Sequence, residues 1–234
     1  MERLDKRLVA TGRWSRKEAK DLIKSGRVMV GDAVCRVPEQ KVGEQDVILV
    51  DGTSIGESGP VYLMLHKPAG VVSATEDARE KTVLSLLPEE YGRMGLFPAG
   101  RLDKDTEGLL LLTNDGPLAH DLLSPRHHVD KVYYVEVAGI LDEEDCRIFR
   151  EGVTLADGYT CMPAELELTG QPNGAYITLH EGKYHQIKRM LASRGKPVTY
   201  LKRLKFGPLE LDPDLEKGCW RALTEEEKNR LFRQ

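Results

Sequence analysis

Between Gly100 and Gly116 the chain reads GRLDKDTEGLLLLTNDG. Three acids, Asp103, Asp105 and Glu107, stand at alternate positions just before four consecutive leucines, Leu109 to Leu112. A short apolar run bounded by turn residues reads as a buried strand, so these carboxylates sit at the mouth of a core. An acidic turn, a calcium loop or a single reactive carboxylate would each account for them. Spacing argues against calcium. An EF-hand loop takes oxygens from its first, third and fifth positions, Gly at the sixth and a bidentate Glu at the twelfth. Counted from Asp103, the twelfth position is Asn114, and leucines of the strand fill the space between. Neither a G-x-G-x-x-G nor a Walker A pattern occurs, so no nucleotide cofactor is expected. The third reading rests on Asp103, which Arg101 and Lys104 flank. Neighbouring cations keep a carboxylate ionised even when it is partly desolvated, ready to act as nucleophile or general base. Residue types alone leave an ordinary acidic turn as the simpler reading.

The elements that must position these residues follow from pattern. Leu4, Leu8 and Val9 share one helical face. In WSRKEAKDLIKSG, Ser15 is an N-cap and Glu18 completes a capping box. Ala19, Leu22 and Ile23 form the apolar stripe of that helix, and Gly26 ends it. Arg16, Lys17, Lys20, Lys24 and Arg27 fall largely on its other side. Two short strands around Gly31–Asp32 and a closing strand in VGEQDVILVDG follow. The Gly/Ser/Pro-rich stretch 51–60 reads as a linker. Beyond it, strands are expected at Tyr62–Lys67, Leu109–Thr113, Val132–Ala138, Ala164–Leu168, Ala175–Leu179 and Val198–Phe206. Helices are expected at Thr82–Leu87, Pro117–Leu123, Glu143–Arg150, Tyr184–Ser193 and Glu225–Phe232. Strands that follow one another without regular βαβ alternation indicate an α+β fold with a mainly antiparallel sheet.

With 234 residues, 40% of them apolar, the chain can bury one large core or two smaller ones. Its net charge is −4 and its pI near 5.9, which at first speaks against a nucleic-acid protein. The charge is uneven, however. Residues 1–48 hold 11 Lys and Arg against 8 Asp and Glu, a net of +3 that leaves −7 for the remainder. Such asymmetry suggests a basic recognition module, although a solvated charged helix accounts for it equally well. Cys35, Cys146, Cys161 and Cys219 form no C-x-x-C pair, so neither a zinc site nor a disulfide framework is expected. His66, His127 and His128 are not spaced as a ligand set with any acid, so no metal is expected. The opening MERLDKRLVA is charged from its second residue and does not read as a signal peptide. No apolar run reaches the roughly 18 residues of a membrane span. The expected setting is cytoplasmic and away from membranes.

Three segments share a further property. GRLDKDTEGLLLLTNDG resembles the signature of the pseudouridine synthases that act on ribosomal RNA. KVYY, from Lys131 to Tyr134, resembles that family's K-x-Y motif, and EGKYHQIKRM, from Glu181 to Met190, resembles its third motif. RLDKRLVATGRWSRKEAKDLIKSGRVMVGD resembles the S4 RNA-binding domain. The resemblance implies an S4-type domain at 1–50, a linker at 51–60 and a pseudouridine synthase domain at 61–234. It implies that Asp103 is the catalytic aspartate, Tyr133 the aromatic ring of the site and Lys188 the basic partner. Arg189 is an alternative partner, and Tyr134 would point to the other side of the strand.

The implied reaction breaks the N1–C1′ bond of a uridine, turns the base and rejoins it through C5. It is an isomerisation and calls for no cofactor. The uridine must leave the stack to react, and an aromatic face such as Tyr133 could hold the extruded base. Expected RNA contacts are Arg3, Lys6, Arg16, Lys17, Lys20, Lys24, Arg27, Arg101, Arg126, Lys131 and Arg189; for Arg126, His127 and Lys131 a plain surface loop is nearly as good a reading. The Lys67-Pro68 turn would lie near the cleft or simply end a strand. The implied partner is ribosomal RNA, free or in an assembly intermediate, met by a monomer. The implied target is a small-subunit uridine, the one numbered 516 in 16S rRNA. A large-subunit uridine and a non-catalytic, RNA-binding ribosome-assembly factor are the alternatives.

Overall fold

The structure, a computed structural model, describes residues 1–55, 60–124 and 129–233. The chain forms two compact units. One comprises Met1–Val61 together with Leu84–Phe97, the other Tyr62–Val83 together with Pro98–Gln234.

The first unit opens with β1 (Glu2–Arg3), α1 (Leu4–Ala10) and α2 (Arg16–Lys24). Strands β2 (Val28–Val30), β3 (Ala33–Cys35), β4 (Lys41–Val42), β5 (Ile48–Val50) and β6 (Thr53–Ser54) follow, and α3 (Glu89–Gly92) is added by the second segment. One sheet has the order β3-β2-β5-β6, and β1 pairs with β4. The capping box of α2 forms as its sequence indicates. Glu18 N–H donates to the Ser15 hydroxyl at 3.3 Å, and Ser15 N–H donates to the Glu18 carboxylate at 2.7 Å. The stripe of Ala19, Leu22 and Ile23 packs with Leu4, Leu8, Val28 and Val50 in one core. The linker reading needs correction at its start. Thr53 and Ser54 pair with Val50 and Leu49, and Ile55 is buried in this same core. A hairpin hidden in turn-rich composition reads as a tether, because two-residue strands carry no period. Residues 56–59 lie outside the described part.

The second unit is built on a nine-stranded sheet. Its strands are β7 (Tyr62–Lys67), β8 (Phe97–Ala99), β9 (Glu107–Thr113), β10 (Lys131–Val137), β11 (Glu165–Leu168), β12 (Gly174–Leu179), β13 (Val198–Phe206), β14 (Leu209–Glu210) and β15 (Trp220–Ala222). The order is β11-β12-β10-β13-β9-β7-β15, with β8 beside β9 and β14 beside β13. Every registered pairing in it is antiparallel except β9 with β13. Helices α4 (Gly116–Leu123), α5 (Glu143–Glu151), α6 (Gln186–Ser193) and α7 (Glu225–Phe232) complete the α+β fold.

Two expected helices differ. Val83–Leu86 is a single 3-10 turn, because Pro88 follows at once and disfavours helix at the residue before it. Helix α6 begins at Gln186 rather than Tyr184, because His185 adopts a left-handed conformation at φ 48°. Side chains close that turn: Lys183 N–H donates to Gln186 Oε1 at 2.9 Å, and Gln186 Nε2 donates to Glu181 at 2.7 Å.

Strand β9 lies inside the sheet, between β13 and β7, and all seven of its residues are buried. It runs antiparallel to β7, with Lys67 opposite Gly108, and parallel to β13, with Arg203 opposite Gly108. This register brings residues 103–106 to the end of β7 that carries Lys67. Gly108 makes it possible. Its φ is 107°, and a Cβ there would lie 2.1 Å from the Arg203 carbonyl oxygen. Gly108→Ala must therefore force β9 and β13 apart. Urea unfolding is expected to show a loss of about 3 kcal/mol or more, against a near-neutral change for Gly170→Ala, where a Cβ meets open space.

Candidate active site

The turn that carries Asp103 is tied down residue by residue. The buried Ser73 hydroxyl donates to the Leu102 carbonyl at 2.9 Å and accepts from the Leu102 N–H at 3.0 Å. Thr106 N–H donates to the Asp103 carbonyl at 3.1 Å, and Gly70 N–H donates to the Lys104 carbonyl at 2.7 Å. Beneath them lies Lys67, with no exposed surface. Its ammonium donates to the carbonyl oxygens of Pro68 (3.0 Å), Lys104 (3.3 Å) and Thr106 (2.9 Å). Three donors thus meet three acceptors, one of the few ways a buried charge is tolerated.

The three acids then diverge. Asp103 and Asp105 converge on one cation: Lys188 Nζ lies 2.8 Å from Asp103 Oδ2 and 2.5 Å from Asp105 Oδ1. His185 Nε2 lies 3.5 Å from the other Asp103 oxygen. Burial opposes the charge on Lys188, but its bonds to the two carboxylates outweigh it and hold its pKa above the usual lysine value. The bond from Lys188 likewise holds the Asp105 carboxyl low, against burial. Glu107 belongs to another cluster, accepting from the Tyr200 hydroxyl and pairing with Lys217 Nζ, both at 2.7 Å. Burial pushes the Glu107 carboxyl up, and these two partners more than reverse it. The alternation of acids is therefore no ligand set, and among the described residues no group of three His, Cys, Asp or Glu could hold a metal ion.

The structure places the adjacent candidates differently. Lys188 meets Asp103, whereas Arg189 turns to an ion pair with Asp157. On β10, Tyr133 is buried opposite Arg203, while Tyr134 faces the other way into a cluster with Tyr176 and Tyr200. Tyr133 takes no part in the ion-pair cluster around Lys188. Around Asp103 the structure gathers Asp105 and the Lys67 turn, both singled out in the sequence, and His185, which sequence reasoning missed. The three-residue spacing of His185 and Lys188 across a helix start was the available signal.

The expected RNA contacts divide. Arg16, Lys17, Lys20, Lys24 and Lys6 are exposed on the first unit, and Arg101 is exposed on the second. In the first unit Lys6, Arg16, Lys20 and Arg93 line a cavity of about 510 Å³ together with Val9 and Met94. Arg3 is already paired with Asp5 and Glu39, and Arg27 with Asp51. Lys131 is drawn inward, donating to the Val129 carbonyl at 2.7 Å beside the Phe206 ring, and burial lowers its pKa. His66 is buried, its Nδ1 donating to the Leu215 carbonyl at 2.7 Å. Arg126, His127 and His128 lie outside the described residues.

A family model described as RNA pseudouridylate synthase matches residues 61–193, and an S4 domain model matches residues 2–48. The chain belongs to the RNA pseudouridine synthase family. It is an isomerase with an N-terminal S4 domain. An uncharacterized RNA pseudouridine synthase of Bacillus subtilis is 47% identical over 233 residues, covering 98% of each chain. The ribosomal small subunit pseudouridine synthase A of Vibrio cholerae is 42% identical, over 96% of this chain and 97% of its own. The ribosomal large subunit pseudouridine synthase B of Bacillus subtilis is 39% identical, over 99% of this chain and 96% of its own. A crystal structure of a pseudouridylate synthase superposes with a TM-score of 0.70 at 33% identity, covering 99% of this chain and 100% of that one.

The support beneath the synthase's acidic turn makes a stability prediction. Burial pushes the Lys67 ammonium down to about 8, against the pull of Asp105, Asp103 and Glu107. An unfolded lysine titrates at about 10.4. Between these values the unfolded chain binds more protons, so this group's contribution to the unfolding free energy rises with pH. Below about pH 8 the penalty of burying the charge stands in full. Denaturant unfolding from about pH 7.5 to about 10.5 should show that positive slope in the wild type, and Lys67→Met should lose it. Equal slopes would assign the titration elsewhere.

Proposed function

We propose that this synthase isomerises a single uridine in small-subunit ribosomal RNA, the one numbered 516 in 16S rRNA, with Asp103 as the catalytic carboxylate. The observation that supports the catalytic role is the 2.8 Å pair of Asp103 with Lys188, set on a turn held by Ser73, Gly70 and Lys67. A side chain held this firmly meets an extruded nucleotide without reorganising, which is where electrostatic catalysis gains most. In the reaction the N1–C1′ bond breaks and C1′ bonds to C5; C5 gives up its proton, and N1 gains one. Atoms and electrons balance within the substrate, so no co-reactant is needed. Tyr133 would supply the ring beside the extruded base. The similarity of the small-subunit relatives supports the 16S target, and a cytoplasmic setting fits such a substrate. The similarity of the large-subunit relative supports a 23S uridine as the second reading.

The S4 domain would dock the RNA. The larger segment carries the negative charge, so the exposed face of Arg16, Lys17, Lys20 and Lys24 should supply much of the encounter.

Asp103→Asn keeps the shape and loses the charge. It is expected to abolish pseudouridine formation on an rRNA transcript while RNA affinity stays within about threefold, a shift under 1 kcal/mol. Measurable turnover by this variant would remove Asp103 from catalysis. Mapping pseudouridines in rRNA from cells with and without the gene separates the 16S from the 23S reading. Replacing Arg16, Lys17, Lys20 and Lys24 together by Ala should flatten the slope of log affinity against log salt. The expected change is about 0.7–0.9 for each phosphate that the variant no longer neutralises. An unchanged slope would place docking on another surface.

A further inference from the structure

Tyr184 precedes the left-handed residue at the start of α6 and is 77% exposed. Its ring stacks on the His185 imidazole, with centroids 3.8 Å apart and planes 18° from parallel. The same imidazole places Nε2 3.5 Å from the Asp103 carboxylate. An exposed tyrosine thus stands one ring-stacking distance behind a histidine that touches the proposed catalytic acid.

The turn that carries it is fixed. Glu181 accepts hydrogen bonds from Gln186 Nε2 (2.7 Å), the Met162 N–H (3.0 Å) and the Tyr159 hydroxyl (2.9 Å). Lys183 N–H is bound by Gln186 Oε1, and the Lys183 ammonium lies over the Tyr159 ring. Little conformational freedom remains to be lost when something binds to Tyr184. No packing explains it either, since so exposed a ring gains little from burial. One face is covered by His185, and a second aromatic plane can add to the other.

We propose that Tyr184 is a stacking platform for a nucleobase next to the reacting uridine. The occupant is an unpaired base of the RNA substrate. Every base has a flat π-face, so stacking tolerates sequence and fixes position. The Tyr184–His185 pair sets the distance from that base to Asp103, so a neighbour stacked there brings the target sugar to the carboxylate. Tyr133 is 9% exposed and suits an enclosed base, whereas Tyr184 suits one still on the strand. This inference rests on the proposed action on RNA through Asp103.

The test uses the full-length enzyme and an rRNA fragment that the wild type modifies, with Asp103→Asn in the same assay. Tyr184→Ala is expected to raise KM by about 5- to 150-fold, the range of one base–aromatic stack. The effect on kcat should be smaller and the thermal unfolding midpoint unchanged. Tyr184→Trp should recover most of the lost affinity, because it restores a stacking face. A 2-aminopurine placed beside the target uridine should be quenched on binding to the wild type and not on binding to Tyr184→Ala. An unchanged KM for Tyr184→Ala, equal losses in Ala and Trp, or quenching that survives in the alanine variant would each overturn the platform. Failure of the underlying proposal looks different: the wild type makes no pseudouridine in the fragment, or Asp103→Asn makes as much.

Discussion

The Lys67 ammonium donates to three carbonyl oxygens from a position with no exposed surface. Burying a charge costs several kcal/mol unless hydrogen bonds compensate it. The chain therefore closes around this group, with Pro68 on one side and the turn from Lys104 to Thr106 on the other. That closure holds the start of β9 against the end of β7, in the register that sets Lys67 opposite Gly108. Asp103 projects from this turn, and its surroundings follow from where the turn is held. A carboxylate on a loose loop would follow the nearest cation; here the cation is brought to it.

That cation arrives from a distant part of the chain. Helix α6 starts at a left-handed histidine, which sets both His185 and Lys188 against Asp103. Lys188 is shared by two carboxylates, so one cation orients both Asp103 and Asp105. Glu107, two residues from Asp105, is taken up by Tyr200 and Lys217 and stays out of this cluster. The division matters because like charges crowded together raise one another's pKa. Three acids in one motif thus serve different ends: one faces the proposed reaction, one shares its cation, and one fastens the strand.

The charge pattern follows the same division. The basic residues of α2 that lack an acid partner point outward, while Arg3, Arg7 and Arg27 are neutralised by Asp5, Glu2 and Asp51. A count of lysines and arginines overstates the charge free to meet RNA. Arg189 and Lys131 make the same point in the second unit, one paired with Asp157 and the other drawn toward a carbonyl.

Much of this was legible along the chain. The leucine run of β9, the capped α2 with its buried stripe, the α+β class and the acidic turn follow from period, capping and turn chemistry, all local. Resemblance in three motifs and the S4-like segment carried the family. The resemblance pointed to Lys188 with Arg189 as its alternative, and to Tyr133 with Tyr134 on the other side of the strand. The placement of α6 against the turn shows which cation meets Asp103, and the pairing of β10 with β13 shows which way each tyrosine faces. Thr53–Ser54 joined a sheet where composition suggested a tether, because a two-residue strand exists only through its partner. For Lys67 the sequence left two readings, a turn near the cleft or the end of a strand, because its burial depends on carbonyls 37 and 39 residues away. Local pattern determined which residues could do chemistry; contacts across the sheet decided which of them meet, since such contacts join positions that no spacing rule connects.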